Sequence, residues 1–340
     1  MQGLFGSRNF QTEVRTRPER PLGTGEVVVR VDACGLCGTD LHFLRQMNEP
    51  TPMGHEIAGT ILEVGSGVAG LRSGQKVIVE DIAVCGHCEY CKCGRVELCT
   101  SGATLDGQPG MSDFLHVDAS LCDVYQDMPL FRAAMVEPTA TAIRCVHTLS
   151  PPVFGSLAVF GMGAIGLLCA AVARLSGTTR IVSIANRCLT NTKRKAESLF
   201  DDFGIDEGFY AQESNCFETV IRRHGLFDSV IVAAPPRLVN QALSLLKPGG
   251  RVLIAGVTFG DDSGVCPIDM TRLVFEKKSI LTNLAEPAIN FPTAIRLLEE
   301  GRIPAEKLVT HSFTFEDHAN LSQWFQGEER PLKAVFVGNS

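Results

Sequence analysis

The segment that most restricts how this chain can fold is Gly161-Met162-Gly163-Ala164-Ile165-Gly166, set between a strand-like apolar run at 157–160 and the helix-like LLCAAVARL. In such a turn the first glycine permits the tight bend, the second lets a pyrophosphate reach the backbone, and the third lets helix pack on strand. The pyrophosphate then rests on the helix N-terminus, where free amides and the dipole favour negative charge. Downstream, strands are predicted at 180–185, 228–234 and 251–257, with helices at 191–199 and 237–246. This alternation predicts a parallel sheet with helices on both faces. Upstream, 26–31 and 57–64 are β-rich runs bounded by Gly/Ser turns, and a helix is predicted at 289–301. The acidic stretch 198–217 reads as irregular.

Cysteine usage is the second constraint. There are thirteen, five of them between 85 and 99. Cys85, Cys88, Cys91 and Cys99 follow C-x2-C-x2-C-x7-C, a spacing that lets thiolates converge on one tetrahedral Zn²⁺. Four protein ligands leave no open position, so this zinc is expected to be structural, organising a loop with little core of its own. Cys93 sits two residues past a ligand and is left free.

Three further pieces are weak alone: CGLCGTDLH (34–42), GHE (54–56) and VEP (136–138). A His beside a Glu is commonly a surface pair, and a cysteine at a strand end is commonly buried and inert. Together they could supply a thiolate, an imidazole and a carboxylate with one position left open, the composition of a catalytic zinc. Asp40 is placed to accept a hydrogen bond from a ligating imidazole.

In this order, CGLCGTDLH, PMGHE, the four-cysteine motif, EP and the glycine-rich strand-turn-helix, the chain resembles the zinc-dependent medium-chain alcohol and polyol dehydrogenases over about 22–335. The resemblance implies a GroES-like β-rich catalytic domain at 1–138 and 284–340, enclosing a Rossmann domain at 139–283. It also implies Cys37 and His55 as catalytic zinc ligands and Glu56 as a mobile carboxylate able to approach the metal. Glu137 stands where sorbitol- and threonine-dehydrogenase-like members carry a glutamate that binds zinc directly or through water. Thr39 and His42 match the family's proton-relay positions, and relatives are homodimers or homotetramers.

The cofactor end carries an informative absence. An NAD-selecting fold puts Asp or Glu at the end of the second strand, where this chain has Ala185-Asn186-Arg187. Ala185 leaves room for a 2′-phosphate, and Arg187 could pair with it and stack on adenine. The expectation is NADP(H) in preference to NAD(H).

A net charge of −7 argues against nucleic-acid binding, and no run approaches the ~18 apolar residues of a membrane span. No secretory signal is evident, so a reducing, cytoplasmic setting without disulfides is expected. The sequence therefore predicts an α/β oxidoreductase with two zinc ions, NADP(H) and a small secondary alcohol or ketone, polyol- or ketose-like. Primary alcohols or aldehydes and amino alcohols are the enzymatic alternatives. A non-catalytic NADPH-binding regulatory protein on an inherited fold is the other class.

Overall fold

The computed structural model describes residues 1–185, 197–213, 215–257, 264–284, 289–327 and 330–338. The chain divides into two compact units, Met1–Ala140 with Ala285–Ser340, and Thr141–Leu284. No helix among the described residues is long and apolar enough to cross a membrane.

In the first unit, β1 (Gln2–Ser7), β2 (Gln11–Thr16) and β4 (Thr51–Pro52) form a small sheet. A seven-stranded sheet gathers β3 (Glu26–Gly35), β5 (Glu56–Val64), β6 (Lys76–Val79), β7 (Phe114–Asp118), β8 (Cys122–Val124), β15 (Val309–Phe313) and β16 (Lys333–Val337). Its order is β15-β16-β3-β5-β6-β8, with β7 also on β3. Val27, Val29 and Val31 of β3 alternate inward and are fully buried with Ile61, Val77 and Val79. The strand continues beyond the predicted end at 31 because Asp32 keeps the alternation, turning outward to Arg30 Nε (2.8 Å) and Thr60 Oγ1 (2.6 Å). That extension carries β3 to Gly35, the edge of the candidate site.

In the second unit, β9 (Ser156–Phe160), β10 (Arg180–Ala185), β11 (Glu207–Tyr210), β12 (Phe227–Val232), β13 (Leu246–Ile254) and β14 (Ser279–Thr282) form one sheet. Its order is β11-β10-β9-β12-β13-β14, and every pairing is parallel. Numbered within the unit, this is 3-2-1-4-5-6, the doubly wound dinucleotide-binding order, whose switch point lies at the carboxyl end of the first strand. β9 is buried along its whole length, as expected of a strand covered on both faces.

Two expectations need correction. The helix predicted at 237–246 is a 3₁₀ turn, Pro236–Leu238, followed by a helix, Val239–Ser244. Leu246 begins the next strand instead, because it pairs with Phe227. The stretch 198–217 is not irregular: a short helix, Phe200–Phe203, leads into β11, and Cys216 starts another helix. Arg174 fastens this region by donating to the Gly204 carbonyl (2.8 Å) and Asp206 (2.8 Å), while Asp206 accepts the Ile181 amide (2.6 Å). Elements of four residues are too short to show a period. Of the helix predicted at 191–199, residues 191–196 lie outside the described residues.

Candidate functional site

The four-cysteine loop joins β6 to β7. The Sγ atoms of Cys85, Cys88, Cys91 and Cys99 all lie within 4.8 Å of one another. Cys85 and Cys91 are separated by 3.9 Å and Cys88 and Cys99 by 4.0 Å. A tetrahedron with Zn–S bonds of ~2.3 Å has edges of ~3.8 Å, so the thiols are spaced for a metal and too far apart for a disulfide. Gly86 turns the knuckle at φ +71°. The Cys85 amide donates to Cys99 Sγ (3.2 Å) and the Cys88 amide to Cys85 Sγ (3.3 Å), contacts that favour thiolate. Amides of Cys91 and Thr100 draw the Cys88 thiol down to about 6. Desolvation and the neighbouring thiols push Cys91 up to about 12, so full ionisation of the set calls for a cation. The donor set fits zinc. Cys93 is exposed and outside the group, and every cysteine among the described residues is free.

The second group is assembled where β3 gives way to the helix Gly38–Gln46. Cys37 is that helix's N-cap residue. Asp40, completely buried, accepts the Cys37 amide at Oδ2 (2.8 Å) and the Gly54 amide at Oδ1 (2.8 Å). The expectation that Asp40 orients an imidazole by hydrogen bonding is therefore corrected: both its oxygens join the cysteine turn to the histidine turn, and it reaches His55 through its charge. Gly54 has φ +91°, and a Cβ there would stand 2.7 Å from Cys34 Sγ and 2.8 Å from Met111, so only glycine fits this turn.

One ligand atom each of Cys37, His55 and Glu56 falls within 4.8 Å of the others. Glu137 is not in that close group, but its charge acts on His55, and the Glu56 charge acts on it. Burial, reinforced by Glu56, raises the Glu137 carboxyl to about 7, against the pull of His55 and Lys333. Burial alone would lower the His55 pKa, yet Cys37, Asp40 and Glu137 carry it well above the usual imidazole range. A half-buried cysteine and imidazole beside the buried Glu56 carboxylate suit a divalent cation, and zinc fits.

Thr39 Oγ1 lies 3.8 Å from Cys37 Sγ. His42 follows three residues later on the same helix, hence on the same face, and burial, with Arg45, lowers its pKa. Two residues of this site gave no signal in the sequence. Lys333 Nζ lies 2.5 Å from Glu56, and both side chains are buried. Gly35 makes room for that carboxylate, since a Cβ there would meet Glu56 Oε2 at 1.8 Å. A lysine opening KAVFV reads as a solvated strand end, and only its apolar company hinted otherwise.

At the other candidate site, Gly161 has φ +116°, and a Cβ would crowd the Ala233 carbonyl at 2.7 Å. Gly163 caps the helix Ala164–Leu175, where a Cβ would meet nothing within 4 Å, leaving space at its amides for a phosphate. A Cβ on Gly166 would lie 2.0 Å from the Gly161 carbonyl oxygen. Gly161 and Gly166 thus have distinct steric reasons, and Gly163 leaves open space, as a dinucleotide turn requires. Met162 and Ala185 pack with Tyr210 and Phe200. Ala164 and Ile165 open the helix, and Asn186 and Arg187 lie outside the described residues.

Known families match most of the chain. The alcohol dehydrogenase GroES-like domain matches residues 23–126, and the zinc-binding dehydrogenase domain matches 164–300. Starvation-sensing protein RspB of Escherichia coli K12 is 29% identical, covering 99% of each chain. D-arabinitol dehydrogenase 1 of Uromyces fabae is 27% identical over 86% of this chain and 84% of its own. L-threonine 3-dehydrogenase of Pyrococcus furiosus is 29% identical over 86% and 85%. A crystal structure of RspB from E. coli CFT073, an alcohol dehydrogenase complexed with NADH, superposes with a TM-score of 0.86 at 26% identity, covering 99% of both chains.

Fold, donor sets and matches define a zinc-binding dehydrogenase that uses a nicotinamide cofactor on a small-molecule alcohol. The chain belongs to the zinc-dependent medium-chain dehydrogenase/reductase family of alcohol and polyol dehydrogenases.

Proposed function

We propose that the protein interconverts a secondary alcohol and its ketone, polyol- or ketose-like, with NADP(H). The observation that carries this reading is the convergence of Cys37, His55 and Glu56 in one group, whose Glu56 and His55 charges act on Glu137. A thiolate, an imidazole and a hard carboxylate oxygen at Glu137, bound directly or through water, would hold one zinc. The four cysteines would hold a second.

When bound, zinc supplies Lewis-acid polarisation of the substrate oxygen, and the nicotinamide supplies or accepts the hydride. The chain supplies the rest. Thr39 Oγ1 passes the substrate proton outward, and His42 exchanges it with solvent. The 161–166 turn holds the pyrophosphate at the amides beyond Gly163. Asp40 keeps the Cys37 and Gly54 turns in register.

NADP(H) selection rests on Ala185, which presents no carboxylate at the end of β10, and on Arg187. NAD(H) is the second reading, favoured by the NADH held in the RspB relative. Exposed Val274 and Phe275 (73% and 82%) on the helix Met270–Glu276, two residues before the edge strand β14, support a homodimer or homotetramer. Free thiols and two zinc sites suit the cytoplasm.

Zinc-replete protein, screened for NADP⁺ and NAD⁺ reduction over polyols, sugars, aliphatic, aromatic and amino alcohols, tests the proposal. Turnover of secondary polyols with the lower KM for NADP⁺ is expected. Preference for threonine-like or primary alcohols, or a lower KM for NAD⁺, replaces the corresponding part of the reading.

A further inference from the structure

A row of side chains crosses three strands of the seven-stranded sheet, on the face opposite the buried valines of β3. Arg30 of β3 stands opposite Thr60 of β5, and Thr60 stands opposite Lys76 of β6. Residues paired in this way share a face, so two cations flank one small residue. Beside them lies a hollow of about 320 Å³, with Arg30, Asp32 and Lys76 on its polar side and Met128 and Leu130 on its apolar side. Tyr125, the residue after β8, also lines it, and its amide donates to the Lys76 carbonyl (3.2 Å). Tyr125 is only 4% exposed, yet its hydroxyl has no hydrogen-bond partner among the described residues. That oxygen is not sealed inside the core; it opens onto the hollow. A buried hydroxyl left without a partner costs free energy that an occupant would recover.

The free groups here are donors, and the acceptors are spent. Burial, then the charges of Asp32 and Glu299, push the Tyr125 hydroxyl up to about 12, so it keeps its proton. Lys76 is exposed and has no ion pair among the described residues. Arg30 gives Nε to Asp32 Oδ1 (2.8 Å), and Asp32 Oδ2 takes the Thr60 hydroxyl (2.6 Å). Glu299 Oε1 takes the Gln126 amide (2.5 Å). The Arg30 and Asp32 charges offset one another, which leaves Lys76 as the unpaired charge of the lining.

We infer that this hollow binds a small organic carboxylate with a short apolar body. Its two oxygens meet the Lys76 ammonium and the Tyr125 hydroxyl, and its body covers Met128 and Leu130. A phosphate would bring a second negative charge with no second unpaired cation to match it. Neither zinc nor nicotinamide takes part, so the inference stands apart from the proposed reaction.

The test is carbon-13 NMR of the full-length protein, labelled at the tyrosine ring carbon that bears the hydroxyl and titrated with benzoate. The chain has three tyrosines, so Tyr125→Phe assigns the resonance by its loss. Benzoate is expected to move the Tyr125 signal saturably, whereas benzamide, its neutral counterpart, and inorganic phosphate leave it in place. Lys76→Gln, a change at an exposed position, should weaken that titration about three- to fivefold. Calorimetry should find a benzoate site about tenfold weaker in Tyr125→Phe, as expected for a lost hydrogen bond to a charged group. The same variant without ligand should keep or raise the wild-type Tm, because the hydroxyl it removes is unpartnered.

A Tyr125 signal that benzoate leaves still, or that benzamide or phosphate moves equally, overturns the inference. So does wild-type benzoate affinity in both variants, which would place the ligand elsewhere on the chain. A lower Tm in Tyr125→Phe would show the hydroxyl already bonded within the fold and overturns it as well.

Discussion

Asp40 accepts the Gly54 amide at 2.8 Å, tying the helix that begins at Cys37 to the turn that carries His55. The same carboxylate accepts the Cys37 amide, and it is completely buried. Charged acceptors of this kind contribute about 1.5–3 kcal/mol each. Asp40→Ala is therefore expected to destabilise the protein by about 3 kcal/mol or more in urea titration. Metal analysis should find loss of zinc from the Cys37 group with the four-cysteine zinc retained. Asp40→Asn, which keeps one acceptor oxygen, should fall between.

The four cysteines act as a unit. Cys99→Ser should lower the metal content by one zinc per chain and expose the 85–112 loop to protease. The loop's short elements, Glu89–Lys92 and Val96–Leu98, bury no residue of their own, so metal binding is their main source of order. Unchanged zinc content in this variant would remove the structural assignment.

Ala185 tests cofactor choice. Ala185→Asp introduces a carboxylate that accepts the hydroxyls of an unphosphorylated ribose and repels a 2′-phosphate. The ratio of kcat/KM for NAD⁺ to that for NADP⁺ should rise by about tenfold or more, equivalent to ~1.4 kcal/mol. No change would mean that the ribose is read elsewhere.

Thr39→Val preserves shape and removes the hydroxyl. Turnover is expected to fall by about 10²–10⁴-fold, with two zinc ions still present by metal analysis. Loss of zinc in this variant would give Thr39 a structural role beside Cys37. His42→Gln should be milder and should mainly reshape the pH profile, because burial already keeps His42 below the usual imidazole pKa.

Stability should depend on pH through Glu80. Burial, then the Asp123 and Asp81 carboxylates, push Glu80 up to about 9 from an ordinary 4.5. The folded protein thus keeps a proton that the unfolded chain gives up near pH 4.5. Its contribution is full below pH 4.5 and is lost as pH rises toward 9. Glu80→Gln, which is permanently neutral, should be more stable than wild type by several kcal/mol at pH 8.5, up to about 5 at ~1.4 kcal/mol per pH unit, and about equal at pH 4.5. Parallel pH curves for the two proteins would contradict this.

Much of the fold was legible because its signals are local. The strand at 180–185, the glycine turn and the cysteine spacing are each written in contiguous residues. Signals requiring distant partners were not. Leu246 belongs to a strand because of Phe227, and the acidic stretch after 198 is ordered by Arg174. β1 and β2 went unread at the N-terminus, although β1 is largely buried while β2 is largely exposed. At the candidate site, Cys37, His55 and Glu56 were found by motif, whereas Lys333 is 277 residues from its partner and has no motif. Asp40 was noticed for its charge, but its partners are backbone amides, which sequence spacing cannot single out.

The most direct test of the account is zinc content measured together with alcohol turnover, in wild type and in Cys37→Ser. The account predicts two zinc ions per chain and NADP⁺ reduction on a secondary alcohol for wild type, falling to one zinc and no turnover in the variant. A wild-type protein with one zinc, held at the four cysteines and inactive on every alcohol, would contradict it and leave a nucleotide-binding regulatory protein.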